Sequence, residues 1–178
     1  MTFYQGTNGR TAVLLPGTNY SPNHPVLYYT RQMLLVQGWS IEEVWWNPED
    51  RSPDEAVTRR VKSVLDSVIG GSQLVIGKSL GTLALPMVVE RKLSAIWLTP
   101  VLNRPQLRTA LESVTSKTLL VGGTADEFWN GEIASASGQQ VLEIPGANHD
   151  LEISRDPLAS VRLLGEIVAK MTMFVENL

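Results

Sequence analysis

The feature that most constrains the fold of this chain is a regular alternation of short apolar runs with longer helix-like segments. Several runs are hydrophobic nearly throughout, which is typical of parallel strands covered by helices on both faces. Strands that alternate with helices form βαβ units with right-handed crossovers. The pattern predicts one α/β domain over residues 1–178, a three-layer α/β/α sandwich around a mostly parallel sheet of about six strands. The predicted strands are residues 11–15, 41–46, 73–76, 95–98, 118–121 and 140–144.

Helix signals fill the intervals between these strands. Residues 52–55, Ser-Pro-Asp-Glu, supply an N-cap, a proline at the first helical position and a capping-box glutamate. Further helices are predicted over residues 25–37, after Ser79, and from Pro157 behind the N-cap Asp156. Apolar residues recur at helical spacing. The faces predicted to be buried are Val57, Val61, Val64, Leu65 and Val68 in one helix and Leu158, Val161, Leu164, Val168, Met171 and Val175 in the last.

Composition and charge exclude several classes of protein. Hydrophobic residues make up 43% of the chain, enough for a core, and the net charge of −3 includes no long basic run. A nucleic-acid partner is therefore not expected. No apolar stretch reaches the roughly 18 residues of a membrane-spanning helix, and residues 1–9 lack the features of a secretory signal. With no cysteine for disulfides, these features predict a cytoplasmic protein without a membrane partner.

Cysteine and histidine counts also limit the chemistry. The absence of cysteine excludes thiolate nucleophiles and thiolate metal sites. The two histidines, His24 and His149, are too few for an all-histidine zinc site. No metal or organic cofactor is expected.

A serine between glycines follows the third predicted strand, at the strand end where ligands of open α/β sheets bind. Residues 77–81 read Gly-Lys-Ser-Leu-Gly, a G-x-S-x-G pattern between a strand and a helix. Such a turn holds the serine in a strained conformation with its oxygen accessible, and the glycines let strand and helix approach closely. Ser79 is therefore the candidate nucleophile. The alternative is a glycine-rich turn in which Ser79 only caps the helix.

The same residues also end a Walker A pattern, G-x-x-x-x-G-K-[ST]. That pattern requires glycine at position 72, which is Ser72. Residues 74–76, Leu-Val-Ile, are strand residues and leave no glycine-rich loop to surround phosphates. A phosphate-binding loop is therefore rejected.

Two later strand ends carry an acid and a histidine. Asp126 follows the fifth strand after small residues, and His149 follows the sixth. In one class of serine hydrolases, the nucleophile, the orienting acid and the base follow each other along the chain in this order, Ser…Asp…His. Three alternatives stay open: Asp126 caps a helix that begins at Glu127, Glu127 is the acid, or His149 is an ordinary loop histidine. His24 precedes Pro25 and is more simply explained as a helix-start residue.

The loop after the first predicted strand is the candidate oxyanion-binding loop. It contains Gly17, so the following N–H of Thr18 can point toward Ser79. The N–H of Leu80 would be the second donor of an oxyanion hole. An ordinary strand-to-helix loop is the alternative, since backbone donors leave no sequence signature.

These motifs resemble those of the α/β-hydrolase superfamily over nearly the whole chain, most closely those of its small, capless, dienelactone-hydrolase-like branch. The similar segments are the serine turn with its lysine, residues 99–105, residues 123–126 and residues 146–151. The resemblance implies a minimal α/β-hydrolase fold without a cap domain, with Ser79 as nucleophile, His149 as base and Asp126 as orienting acid. The oxyanion loop departs from it, because relatives often have His-Gly and small residues where this chain has Leu-Pro-Gly-Thr at 15–18.

The hypothesis that follows is a serine hydrolase that cleaves a small ester or thioester through an acyl-enzyme. The alternative from another class is a binding or scaffold domain without significant turnover. Acyl transfer and C–C bond hydrolysis also stay open.

The length of residues 99–117 predicts the shape of the site. This segment has room for one short helix, roughly residues 106–113, and not for a cap domain. We therefore expect an open cleft that favours short acyl groups. The side chains expected to wall it are Tyr20, Leu102, Phe128 and Trp129.

Overall fold

The computed structural model describes residues 1–46, 53–67 and 73–178. Within these residues the strands, in chain order, are β1 Thr2–Tyr4, β2 Thr11–Leu15, β3 Ser40–Glu43, β4 Gln73–Lys78, β5 Ser94–Leu98, β6 Thr118–Gly123 and β7 Gln140–Ile144. They form one seven-stranded sheet in the spatial order β1-β3-β2-β4-β5-β6-β7. β1 is antiparallel to β3, and every other neighbouring pair is parallel.

Helices cover both faces of this sheet. The helices of the described residues are α1 Pro25–Val36, α2 Pro53–Ser67, a 3₁₀ helix Ser79–Ala84, α3 Leu85–Glu90, α4 Pro105–Glu112, α5 Gly131–Ala136 and α6 Pro157–Glu176. Buried residues of α1 and α6 share one core with the sheet, and those of α2, α3, α4 and α5 share the other. The predicted three-layer sandwich around a mostly parallel sheet is confirmed.

The two cores follow from the period of two along each strand. In β4, Leu74 and Ile76 face the core that contains α1 and α6, whereas Val75 faces the opposite core. Lys78 continues the row of Leu74 and Ile76, so the same alternation directs its side chain toward the α1–α6 side. The carboxyl ends of β4, β5, β6 and β7 lie side by side because these strands are parallel neighbours.

The strand predictions need corrections at β1 and β3, and β4 and β6 each extend two residues beyond their predicted ends. β1 was not predicted, because three residues at an exposed edge are too few to show a periodic pattern. β3 ends at Glu43, earlier than the predicted residue 46. Val44 still donates to the Leu14 carbonyl at 3.0 Å, and beyond it the Trp46 indole donates to the Pro16 carbonyl at 2.9 Å.

The helix predictions hold for α1, α2 and α4 and differ in detail elsewhere. The segment after Ser79 is a 3₁₀ helix that becomes α-helical at Leu85, with Pro86 in the first turn of α3. No helix begins at Glu127, since α5 starts at Gly131 behind the N-cap Asn130. The predicted N-cap Ser52 and the stripe residue Val68 lie outside the described residues.

The buried face of α6 was predicted wrongly over its first turns. Asp156 caps the helix as expected, its side chain accepting the Ala159 N–H. Leu158 and Val161 are each 68% exposed, whereas Leu163 and Ile167 are buried. The helix carries two apolar stripes, and contact with α1 selects the one that includes Leu163 and Ile167.

The segment between β5 and β6 contains α4 and no cap domain. α4 begins within one turn of its expected start and buries Leu107 and Leu111. None of the helices in the described part of the chain combines the length and hydrophobicity needed to cross a membrane.

Candidate active site

Ser79 occupies a sharp turn between β4 and the 3₁₀ helix, here called the serine turn (residues 77–81). Its φ of 50° lies in the left-handed region that residues with a Cβ rarely adopt. A Cβ at Gly77 would lie 2.6 Å from Cζ3 of Trp97, and one at Gly81 would lie 2.3 Å from the Leu15 carbonyl oxygen. Both contacts are too close for a side chain, so the two glycines allow the turn that exposes Ser79.

A continuous chain of hydrogen bonds links the three side chains predicted from the strand ends. His149 Nε2 lies 2.8 Å from Ser79 Oγ, and His149 Nδ1 lies 2.9 Å from Asp126 Oδ2. The Phe128 N–H donates to the other carboxylate oxygen of Asp126 at 2.9 Å. The Asp126 side chain is fully buried, whereas that of His149 is 29% exposed. An imidazole that donates from Nδ1 to Asp126 presents Nε2 as the acceptor for the Ser79 hydroxyl.

His149 lies on the histidine loop (residues 145–156), which follows β7. The side-chain oxygen of Asn148 accepts the N–H groups of Asp150 and Glu152 at 2.9 and 3.0 Å. The loop also approaches the end of β6, because a Cβ at Gly123 would lie 2.1 Å from the Ala147 carbonyl oxygen. These contacts place the histidine beside the acid.

The candidate oxyanion loop passes directly over the serine turn. A Cβ at Gly17 would lie 3.2 Å from Cβ of Ser79. Gly17 and Tyr20 exchange backbone hydrogen bonds of 3.2 and 3.4 Å, which leaves Thr18 at the exposed tip of a tight turn. The Leu80 N–H lies in the first turn of the 3₁₀ helix, where N–H groups have no intrahelical acceptor. The oxyanion loop and the start of the 3₁₀ helix therefore both lie beside Ser79, and the roles of Thr18 and Leu80 as oxyanion donors stay predictions.

Lys78 is a residue of the site to which sequence reasoning assigned no role. Its side chain is fully buried, and Nζ donates to Thr99 Oγ1 at 2.7 Å and to the His149 carbonyl at 2.6 Å. Nζ also lies 4.6 Å from the centre of the Tyr20 ring. Burial lowers the pKa of Lys78 to about 8, although the carboxylates of Asp150 and Asp126 act in the opposite direction. The sequence signal that could have identified Lys78 was the alternation along β4, which places it in the same row as Leu74 and Ile76.

The four residues expected to wall the cleft lie in different surroundings. Phe128 packs edge-on against His149, with ring centres 5.0 Å apart. Tyr20 is 7% exposed. The prediction for Leu102 is wrong: its side chain is fully buried, and its N–H donates to the Phe128 carbonyl at 3.0 Å. Trp129 packs over Gly122 and donates from Nε1 to the Glu143 side chain at 2.7 Å.

Tyr20 also lines a cavity of about 340 Å³ between the start of α1, the histidine loop and the start of α6. The Tyr20 hydroxyl accepts the Val26 N–H at 3.4 Å, and burial raises the pKa of Tyr20 to about 12. The phenol thus stays neutral at ordinary pH.

The alternative site residues lie elsewhere. His24 is the N-cap residue of α1, stacks on Tyr20 and has Nδ1 3.1 Å from Ser21 Oγ, which agrees with the helix-start interpretation. Glu127 is exposed in a turn. Across residues 1–46, 53–67 and 73–178, no group of three or more histidine, aspartate or glutamate side chains is arranged to hold a metal ion.

Comparison with solved structures finds close similarity of fold at low sequence identity. Est1E from Butyrivibrio proteoclasticus superposes with a TM-score of 0.76 at 12% identity, over 98% of this chain and 93% of that chain. For alpha/beta hydrolase domain-containing protein 10 from mouse, the TM-score is 0.74 at 13% identity, over 99% of this chain and 93% of that chain. For a serine hydrolase without a lid from Xanthomonas campestris it is 0.70 at 15% identity, over 94% and 81%. No protein-family model matches the sequence, and neither does any curated protein.

Proposed function

We propose that this chain, which has the α/β-hydrolase fold without a cap domain, is a serine hydrolase that cleaves a small ester or thioester. The observation that carries the proposal is the hydrogen-bond chain from Ser79 Oγ through the His149 ring to Asp126. A serine hydroxyl bonded to an imidazole, which is itself oriented by a buried carboxylate, is the arrangement that activates a serine nucleophile.

The proposed reaction has two stages. In the first, Ser79 Oγ attacks the substrate carbonyl carbon while His149 Nε2 takes the hydroxyl proton, and Asp126 stabilises the resulting imidazolium. The N–H groups of Thr18 and Leu80 bind the oxyanion, which is worth about 3 kcal/mol per donor. The imidazolium then protonates the departing alcohol or thiol. In the second stage His149 activates a water molecule, which cleaves the acyl-enzyme and releases the carboxylic acid.

The substrate is proposed to be a small molecule with a short acyl group. The support is the lack of a cap between β5 and β6, because an open site buries little of a long acyl chain and apolar burial contributes only about 25 cal/mol per Å². We propose that the enzyme acts in the cytoplasm, which agrees with the absence of cysteine, and that it needs no cofactor.

A fluorophosphonate probe tests the proposed nucleophile. We expect the wild-type protein to be labelled and Ser79→Ala to be unlabelled, because the probe forms a bond to an activated serine oxygen. Ser113→Ala is the matched control, since Ser113 lies beyond the end of α4. Folded wild-type protein that takes no label would contradict the proposal and would favour a binding or scaffold domain.

A chain-length series of p-nitrophenyl esters tests the substrate class. Acetate and butyrate esters are expected to be hydrolysed fastest, with weak affinity and no rate increase above the micellar concentration. An optimum at long acyl chains would contradict the open-cleft proposal. It would direct attention to the cavity beside Tyr20 as an acyl-binding pocket.

A further inference from the structure

Lys78 is a buried cation that has no role in the two proposed reaction stages. We propose that Lys78 is a positioning residue, whose side chain holds the backbone of His149 so that the imidazole stays aligned with Ser79. This inference deepens the proposed function and rests on it, because alignment matters only if His149 acts on Ser79.

The hydrogen bond from Lys78 Nζ to the His149 carbonyl joins the serine turn to the histidine loop. Lys78 immediately precedes Ser79 in the serine turn, whereas His149 lies 71 residues further along the chain. Lys78 Nζ holds the His149 carbonyl at 2.6 Å, and the ring of the same histidine reaches Ser79 Oγ at 2.8 Å. His149 is therefore held at its backbone and at its ring by two consecutive residues of one turn.

The surroundings of Nζ are unusual for a charged group. The side chain is fully buried, and its two hydrogen-bond acceptors, Thr99 Oγ1 and the His149 carbonyl, carry no charge. Burial lowers the pKa of Lys78 to about 8, against the opposing effect of the Asp150 and Asp126 charges. An apolar side chain of the same length would fill this space without desolvating a charge.

The two acceptors of Nζ provide a matched pair of variants. Lys78→Met keeps nearly the same volume and removes both hydrogen bonds, including the one to His149. Thr99→Val removes only the bond to Thr99 Oγ1 and leaves the contact with the His149 carbonyl intact. A positioning role predicts different effects of the two variants on catalysis, whereas a purely structural role predicts similar effects.

Steady-state kinetics on p-nitrophenyl acetate provides the first measurement. In Lys78→Met we expect kcat to fall about 10- to 100-fold, because a small displacement of a catalytic group has an effect of this size. KM should stay within about twofold, since the acyl-binding surface is unchanged. In Thr99→Val, kcat should also stay within about twofold.

Proton NMR provides a second measurement that needs no turnover. The hydrogen that His149 Nδ1 shares with Asp126 is expected to give a low-field resonance in the wild-type protein and in Thr99→Val. In Lys78→Met this resonance should shift or broaden, because the ring is no longer fixed from the backbone side.

The outcomes separate the two proposals. Equal losses of kcat in both variants, or an unchanged kcat and resonance in Lys78→Met, would overturn the positioning role. If Lys78→Met does not fold, Lys78→Gln replaces it: a neutral amide that is one atom shorter should give an intermediate loss of kcat, and wild-type kcat would overturn the role. If the wild-type protein shows no turnover and no fluorophosphonate label, the proposed function fails, while the resonance still decides whether Lys78 positions His149.

Discussion

The serine turn and the histidine loop support their functional side chains in different ways. The serine turn follows β4, between β2 and β5 in the middle of the sheet, and its shape is imposed by contacts of Gly77 and Gly81 with atoms of neighbouring strands. The histidine loop follows the edge strand β7 and is held largely by hydrogen bonds: the Asn148 side-chain oxygen accepts two of its N–H groups, and Lys78 Nζ donates to the His149 carbonyl.

Because of this difference, we expect substitutions in the two regions to differ in their effects on stability and on catalysis. Steric contacts in a packed centre admit one conformation, and any added atom forces the surroundings to move. A hydrogen bond at the edge contributes about 1 kcal/mol net to stability, so the loop can lose one and still fold. We therefore expect loss of a catalytic side chain in either region to lower kcat strongly, but only substitution of Gly77 or Gly81 in the serine turn to destabilise the fold strongly.

The largest effect should be the loss of turnover when His149 is removed. His149→Ala is expected to lower kcat for p-nitrophenyl acetate by about 10⁴-fold or more, as should Ser79→Ala. The double variant should be scarcely worse, because the two residues act as a unit. His24→Ala is the control and should remain active. The reverse pattern, with His24→Ala inactive and His149→Ala active, would refute the assignment of the base.

Replacement of the acid that orients His149 should lower kcat somewhat less. Asp126→Asn is expected to lower kcat by about 10³- to 10⁴-fold, because the amide no longer fixes the required imidazole tautomer. The variant should fold, since an amide oxygen can still accept the Phe128 N–H. Glu127→Gln, in the adjacent exposed turn, should behave like the wild type. Loss of activity in Glu127→Gln alone would identify Glu127 as the acid.

A glycine-to-alanine change should lower the free energy of unfolding in the serine turn but not at the periphery of the protein. Gly81→Ala places a Cβ 2.3 Å from the Leu15 carbonyl oxygen, and we expect a loss of about 4 kcal/mol or more in the free energy of unfolding. Gly165→Ala, in α6, is the control: a Cβ there meets no atom within 4 Å outside the backbone of its own helix, so alanine should stabilise the helix by up to about 1 kcal/mol. Urea unfolding measures both. A near-wild-type free energy of unfolding for Gly81→Ala would show that the turn is not sterically determined.

The smallest expected effect concerns Lys78, which connects the two regions. Its pKa falls from 10.5 to about 8 on folding, so below about pH 8 the folded protein carries a buried charge that destabilises it. Between pH 8 and 10.5 the unfolded chain binds more protons, and stability therefore rises with pH. From pH 7.5 to 9.5 the wild-type protein should gain about 2 kcal/mol in unfolding free energy relative to Lys78→Met.

The titration of Tyr20 sets the upper limit of this pH experiment. The pKa of Tyr20 is raised from 10.0 to about 12, so above pH 10 the folded state binds the extra proton and stability falls with pH. Measurements should therefore end at pH 9.5. A difference between the wild type and Lys78→Met that does not change with pH would mean that the ammonium is not desolvated.

Much of the site could be predicted because its signals are local. The apolar runs identified β4, β6 and β7, and the residues at their ends identified Ser79, Asp126 and His149, which the structure brings within hydrogen-bond distance. Their catalytic roles stay predictions. The misplacement of Leu102 has a different origin: proximity to a strand end does not say which side of the loop faces solvent, and Leu102 points into the core.

The sequence by itself determined the alternation of strands and helices and the serine turn, because periodicity and the steric needs of residues 77–81 act between near neighbours. Only the tertiary structure decided which apolar stripe of α6 is buried, since Leu158 and Leu163 are both apolar and packing against α1 selects between them. It also decided the partner of Lys78. That contact joins a strand end to a carbonyl 71 residues away, because the parallel strands of this sheet bring the loops at their carboxyl ends together.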